Sequence, residues 1–203
     1  AGVVLAGGGN QVLNNGTISG AAGLTGSGGA NTLTNNSTGT IIGTAGPAVS
    51  LSGGAVNIIN SGILTGTGGV AVATGAGTDT FEMRGGTVNG NIDQGDGVDQ
   101  FIMAGGTVNG VVQQGNGIDD FRMTGGQIGA LQQGDNRDTF FMSGGTIVGA
   151  FEDGDVATMT GGTIGRVDMK LDNNIFDMSG GRINGNLVAG FGNDTITVSN
   201  GFI

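Results

Sequence analysis

A glycine followed two places later by an aliphatic residue returns ten times in phase along this chain, and no other feature constrains the fold as much. The instances are Gly16-Thr17-Ile18, Gly39-Thr40-Ile41, Gly62-Ile63-Leu64, Gly86-Thr87-Val88, Gly106-Thr107-Val108, Gly126-Gln127-Ile128, Gly145-Thr146-Ile147, Gly162-Thr163-Ile164, Gly181-Arg182-Ile183 and Gly201-Phe202-Ile203. Successive glycines lie 23, 23, 24, 20, 20, 19, 17, 19 and 20 residues apart. A fixed period of that length marks a solenoid, in which each short unit buries its apolar face only by stacking on its neighbours.

From Asp79 onward the unit can be read in full. Phe81-Glu82-Met83, Phe101-Ile102-Met103, Phe121-Arg122-Met123, Phe140-Phe141-Met142 and Phe176-Asp177-Met178 put large apolar residues at i and i+2, with Ala157/Met159 and Ile196/Val198 in the same slots. That alternation is a strand with one buried face. A glycine corner, the Thr-Ile/Val strand, a second corner and a short third strand such as Asn91-Ile92-Asp93 complete the unit, and Gly95-Asp96-Gly97 leads to the next Phe. Glycine suits such corners because it adopts positive φ without strain. The expectation is an all-β parallel β-helix of about ten rungs, three short strands to a rung. With rungs ~4.8 Å apart, the rod would be on the order of 50 Å long.

The 48 glycines would ordinarily suggest a flexible linker, but there is no Gly-X-Y period, and 36% of the chain is apolar and phased. Helix-forming residues are sparse, and no window carries a helical stripe with caps. Without Cys or His, disulfides, thiolate metal sites and His-dependent triads are excluded. All 16 acidic and six basic side chains lie after Thr78. The excess of acids makes nucleic acid and anionic membranes poor partners, because phosphate binding needs clustered cations. Residues 1–78 form neutral rungs rich in Asn and Thr, such as Gln11-Val12-Leu13-Asn14-Asn15, Thr32-Leu33-Thr34-Asn35-Asn36 and Asn57-Ile58-Ile59-Asn60. Stacked amides can hydrogen-bond along such a column. Residues 79–203 form acidic Phe/Met rungs, and the unbroken phase predicts one continuous solenoid.

The Leu-Thr-Asn-Asn and Asn-Ser-Gly rungs, followed by Asp-x-Phe-x-Met-x-Gly-Gly-Thr-Val units, resemble the passenger domains of bacterial autotransporters (type V secretion). The resemblance covers nearly the whole chain. It is specific as a style of repeat and says little about activity. It implies a right-handed β-helix displayed at the cell surface, outside the cell, and exported with a C-terminal outer-membrane β-barrel that is absent from these residues. The chain would then be part of a longer passenger, acting as an adhesin or a stalk. Its partners would be host surfaces, matrix or like passenger molecules.

Two residues before each Phe-type position stands Asp79, Asp99, Asp119, Asp138, Asp155 or Asp194, with Asn174 in the remaining rung. Like charges ~4.8 Å apart repel by about 1 kcal/mol even in water, so something must offset the repulsion. One reading is that each carboxylate accepts backbone N–H bonds from its own glycine turn, as an Asx-type cap. The other is calcium. Gly95-Asp96-Gly97-Val98-Asp99-Gln100-Phe101 is similar to the Gly-Gly-x-Gly-x-Asp-x-aliphatic repeats of calcium-binding β-rolls, although Gln94 replaces the first glycine and the motif recurs only every 20 residues. The resemblance implies Ca²⁺ on this ladder of six aspartates; no other cofactor is expected.

Some β-helices are polysaccharide lyases or hydrolases, which is the alternative function. Glycosidases need two carboxylates of different pKa across one bond, whereas these acids repeat from rung to rung. The nearest thing to an enzyme-like patch is Arg166, Asp168 and Lys170 beside Asp172, where the repeat deviates. Alternating charges there read more simply as a solvated strand face, and neither Trp nor Tyr is present to stack on a sugar. The sequence therefore predicts a non-catalytic chain.

Overall fold

In a computed structural model that describes all 203 residues, the chain forms an all-β solenoid without a helix. Ten parallel strands, from Gln11–Asn14 through Asn31–Asn35, Val56–Asn60, Thr80–Met83 and their successors to Thr195–Val198, form one continuous sheet. Thirteen strands form a second sheet, and Asp96–Gly97 pairs with Asn116–Gly117 in a third of two strands. Val56–Asn60 pairs directly with Thr80–Met83, so the neutral and acidic halves share one sheet across residue 78.

The register reproduces the spacing of the glycines. From Thr80 onward the opposed positions are Gln100, Asp120, Thr139, Val156, Ile175 and Thr195, which are 20, 20, 19, 17, 19 and 20 residues apart. Phe therefore lies on Phe and Met on Met, and both are buried. Rings 81, 101, 121 and 140 stack nearly parallel, with centroids 5.3, 5.4 and 5.5 Å apart. At the next rung the column holds Ala157, and Phe151 from the other sheet fills the space, its ring 4.2 Å from Phe140. Core volume is thus conserved while the contributing strand changes.

The strands of a rung are divided in two ways. The earliest rungs do have three separate strands, as in Gln11–Asn14, Thr17–Gly20 and Leu24–Ser27. From Ile63 to Asp168 the second and third merge into single bent strands such as Ile63–Ala73, Thr87–Asp93 and Thr107–Gln113, with register irregularities near Gly90 and Gly110, and they separate again as Arg182–Ile183 and Leu187–Val188. Gly90 sits at φ 126°, so the chain turns the corner while rung-to-rung pairing resumes immediately on either side. Elsewhere the corners require glycine outright. At Gly115 (φ 96°) an added Cβ would overlap the carbonyl of Gly95 in the rung before.

Candidate functional site

Polar side chains inside the rod fall into three columns, each built by the rung repeat. The first occupies the second inward position of the ten-stranded sheet. Asn14 Nδ2 donates to Asn35 Oδ1 and Asn35 Nδ2 to Asn60 Oδ1, both at 2.8 Å. Asn60 Nδ2 then meets Met83 Sδ at 3.2 Å, where the Met column takes over at the same register. The amide ladder anticipated from the Asn-rich rungs is present.

The second column contains the aspartates. Asp79, Asp99, Asp119 and Asp138 are at most 2% exposed, and Asp155 and Asp194 are half-buried. Their role differs from an Asx-type cap on the residue's own glycine turn. Each carboxylate reaches back one rung and accepts the backbone N–H of the residue at its own position there. Val56 donates to Asp79 Oδ1, Asp79 to Asp99, Asp99 to Asp119, Asp119 to Asp138 and Asp138 to Asp155, at 2.7–2.8 Å. Asn10 donates to Asn31 Oδ1 in the same way at the start of the column, and Asn174 to Asp194 near its end. Position i−2 from the Phe turns out of the ladder to meet the glycine turn, so its N–H faces the neighbouring rung without a carbonyl opposite. A side-chain oxygen supplies the acceptor.

This link is missing twice: between Asn31 and Val56, where the Asn31 N–H donates to the Ala55 carbonyl at 3.3 Å, and between Asp155 and Asn174. Asn174 instead donates Nδ2 to the carbonyls of Leu171, Ala189 and Met169, and its Oδ1 is buried without a partner. The second oxygens of Asp79, Asp99, Asp119 and Asp138 are buried and unpartnered as well. Burial raises the carboxyls of Asp79, Asp119 and Asp155 above the ordinary range, against the pull of the N–H bonds they accept. Burial pushes Asp99 up to about 7, with Asp79, Asp119 and Asp96 adding repulsion. Asp138 goes to about 8, again by burial first, with Asp119, Asp155 and Asp153 adding to it.

The third column escaped the sequence reading. Gln94, Gln114 and Gln133 are fully buried, with Thr74 one rung earlier. Gln114 Nε2 donates to Gln94 Oε1 at 3.4 Å and Gln133 Nε2 to Gln114 Oε1 at 3.1 Å. Each also bonds a carbonyl six residues on, at Gln100, Asp120 or Thr139, which pins the turn to the next strand. A signal was available: a Thr or Gln stands five residues before each of Asp79, Asp99, Asp119 and Asp138. The column ends where Gly154 meets the Phe151 ring, which takes the space a further side chain would need, and Gln133 Oε1 is left unpaired.

Calcium does not fit this arrangement. It takes about six to eight oxygens around one point. The column offers one free oxygen per rung beneath the surface. The aspartates form a hydrogen-bond ladder, and we assign them no metal.

The charged patch lies where the coil is shortest. Arg166 pairs with Glu152 and with Asp168 at 3.5 Å, and Lys170 Nζ pairs with Asp153 at 2.8 Å and Glu152 at 3.3 Å. Partial burial works against it, but the hydrogen bond from Gln132 and the two cations hold Glu152 below the ordinary carboxyl range. Asp172 stands apart, lining a cleft of about 140 Å³ with Asp135, Asn136, Asp153 and Asp155. Asn136, Asp153, Lys170 and Asp172 all adopt positive φ here: Lys170 stands where other rungs have Gly95, Gly115 and Gly134, Asn136 and Asp172 where they have Gly97 and Gly117, and Asp153 lies in the turn shortened to Asp153-Gly154.

No family model matches this chain, and no curated protein or solved structure matches it either.

Proposed function

We propose that this chain is a non-catalytic rod of a bacterial surface passenger, an adhesin or structural stalk that works by adhesion or self-association outside the cell. The reading is supported by how the polar groups are used. Buried Asn, Asp and Gln side chains link each rung to the next and do not converge on one point, and the charged patch is mutually ion-paired. Surface amides repeat the pattern: Asn109 donates to Asn89 and Asn116 to Asp96 from rung to rung. A regular ladder of exposed donors and acceptors suits an extended contact surface better than a small-molecule site.

The test is to display the rod on cells or beads and score aggregation and adherence to host cells and matrix. Adherence or clustering above a scrambled-sequence control is the expected result for an adhesin, and length-dependent projection of a fused binding module is the result for a stalk. Cleavage of an acidic polysaccharide by the rod, abolished in Asp168→Ala, would overturn the proposal in favour of a carbohydrate-active β-helix.

A further inference from the structure

We infer that Asp99 and Asp138, in the middle of the buried column, carry protons inside the folded rod near neutral pH, so that folding of the acidic half takes up protons and its stability falls as the solution becomes alkaline. Each of the two has one oxygen engaged by a backbone N–H, that of Asp79 for Asp99 and that of Asp119 for Asp138, and the other buried without a hydrogen-bond partner. A carboxylate in that position has lost its hydration at one oxygen and gained nothing for it. A protonated carboxyl keeps the accepting oxygen and converts the other into a neutral O–H. It also supplies a donor where the rod is short of one, since Gln133 Oε1, in the rung of Asp138, is a buried acceptor without a partner.

The surroundings offer no other remedy. The groups acting on Asp99 are Asp79, Asp119 and Asp96, and those acting on Asp138 are Asp119, Asp155 and Asp153, all of them acidic. Five of the six bases are engaged elsewhere. Arg84 is paired with Glu82, Arg166 and Lys170 with the Glu152 patch, and Arg122 stacks over Phe141. Arg182 stacks over Phe202, which leaves Arg137, whose charge reaches Asp155 but is not among the groups acting on these two carboxyls. The column itself contains the neutral isostere: Asn31 accepts the N–H of Asn10 as each aspartate accepts that of its neighbour.

The sign follows from linkage. The native pKa values stand above the unfolded value of about 3.9, so the folded chain holds more protons between roughly pH 4 and pH 8. This stabilisation is complete below that window and is lost as the pH rises through the native values. Urea unfolding of the intact chain, measured from pH 5 to 8.5, tests it together with proton release on unfolding in weakly buffered solution. We expect the unfolding constant to rise by about ten- to a hundredfold per pH unit near pH 6, equivalent to one to two protons released. Asp99→Asn and Asp138→Asn should each flatten that slope and be more stable than the parent at pH 8, whereas Asp177→Asn, on the surface, should leave it unchanged. Stability that is flat or rising over this range, with no proton release, would overturn the inference. So would a rise in stability at pH 8 on adding millimolar calcium, with both Asn variants destabilised, since the column would then be serving a cation.

Discussion

The same inward position of the ten-stranded sheet is filled by Asn14, Asn35 and Asn60 in the first three rungs and by Met83, Met103, Met123, Met142, Met159 and Met178 in later ones. Both fillings are buried, yet they hold the rungs by different means. The amides form a directional chain in which each side chain needs its neighbour on either side. The methionines fill volume, and each tolerates a change in the next as long as the space is occupied. In the aspartate column the halves differ again: the neutral half carries amides or Val56, the acidic half carboxyls. One backbone lattice therefore supports two chemistries of cohesion. Only the later one responds to pH.

The comparison breaks most completely in the apolar stack. Phe101→Asp puts a charge between two rings and should abolish cooperative folding of the neighbouring rungs, seen as loss of the thermal transition. A soluble variant with an unchanged melt would contradict the stacked core. Next in size is Asn35→Met, which exports the later chemistry into the earlier half. It strands the Asn14 donor and the Asn60 acceptor, and should cost about 2–5 kcal/mol by urea denaturation despite adding buried apolar volume. Moving the alkaline limit should sharpen the contrast. Between pH 5 and 8.5, hydrogen exchange corrected for its intrinsic rate should accelerate at Phe101 and Phe121 and stay constant at Leu33 and Ile41, because residues 1–78 contain no side chain that titrates. Equal acceleration at both ends would show that the halves unfold as one unit. The smallest effect belongs to Arg166→Ala, which removes exposed ion pairs. It should cost under about 1 kcal/mol and vanish in high salt.

The glycine period and the alternation of Phe and Met were enough to read the architecture, because both follow from one-dimensional stacking. A 17-residue gap between Gly145 and Gly162 appears unchanged as the offset of Thr146 to Thr163. The Asn ladder was equally legible, since an amide in every rung can only stack on its own kind. Less legible was anything that depends on which neighbour a side chain faces. The aspartates read as caps on their own turns because local bonds are the default for Asp, whereas the bond reaches across about 20 residues of sequence to the adjacent rung. Gln94 looked like a misplaced glycine of a calcium motif, yet it is fully buried and ties two rungs together. The merging of the second and third strands depends on the conformation at Gly90 and Gly110, about which glycine's permissiveness gives no prior indication.

The gap in the ladder between Asp155 and Asn174 has a mechanical consequence. Because each rung bonds only to the rungs on either side, a pull along the axis passes through every interface in turn, and the rod is as strong as its weakest joint. That joint lacks the side-chain link that its neighbours have, and it follows the shortest coil and the strained turn. Stretched from both ends, the molecule should part there first and pay out the remaining rungs stepwise. A single-molecule extension trace whose first step begins elsewhere would refute this.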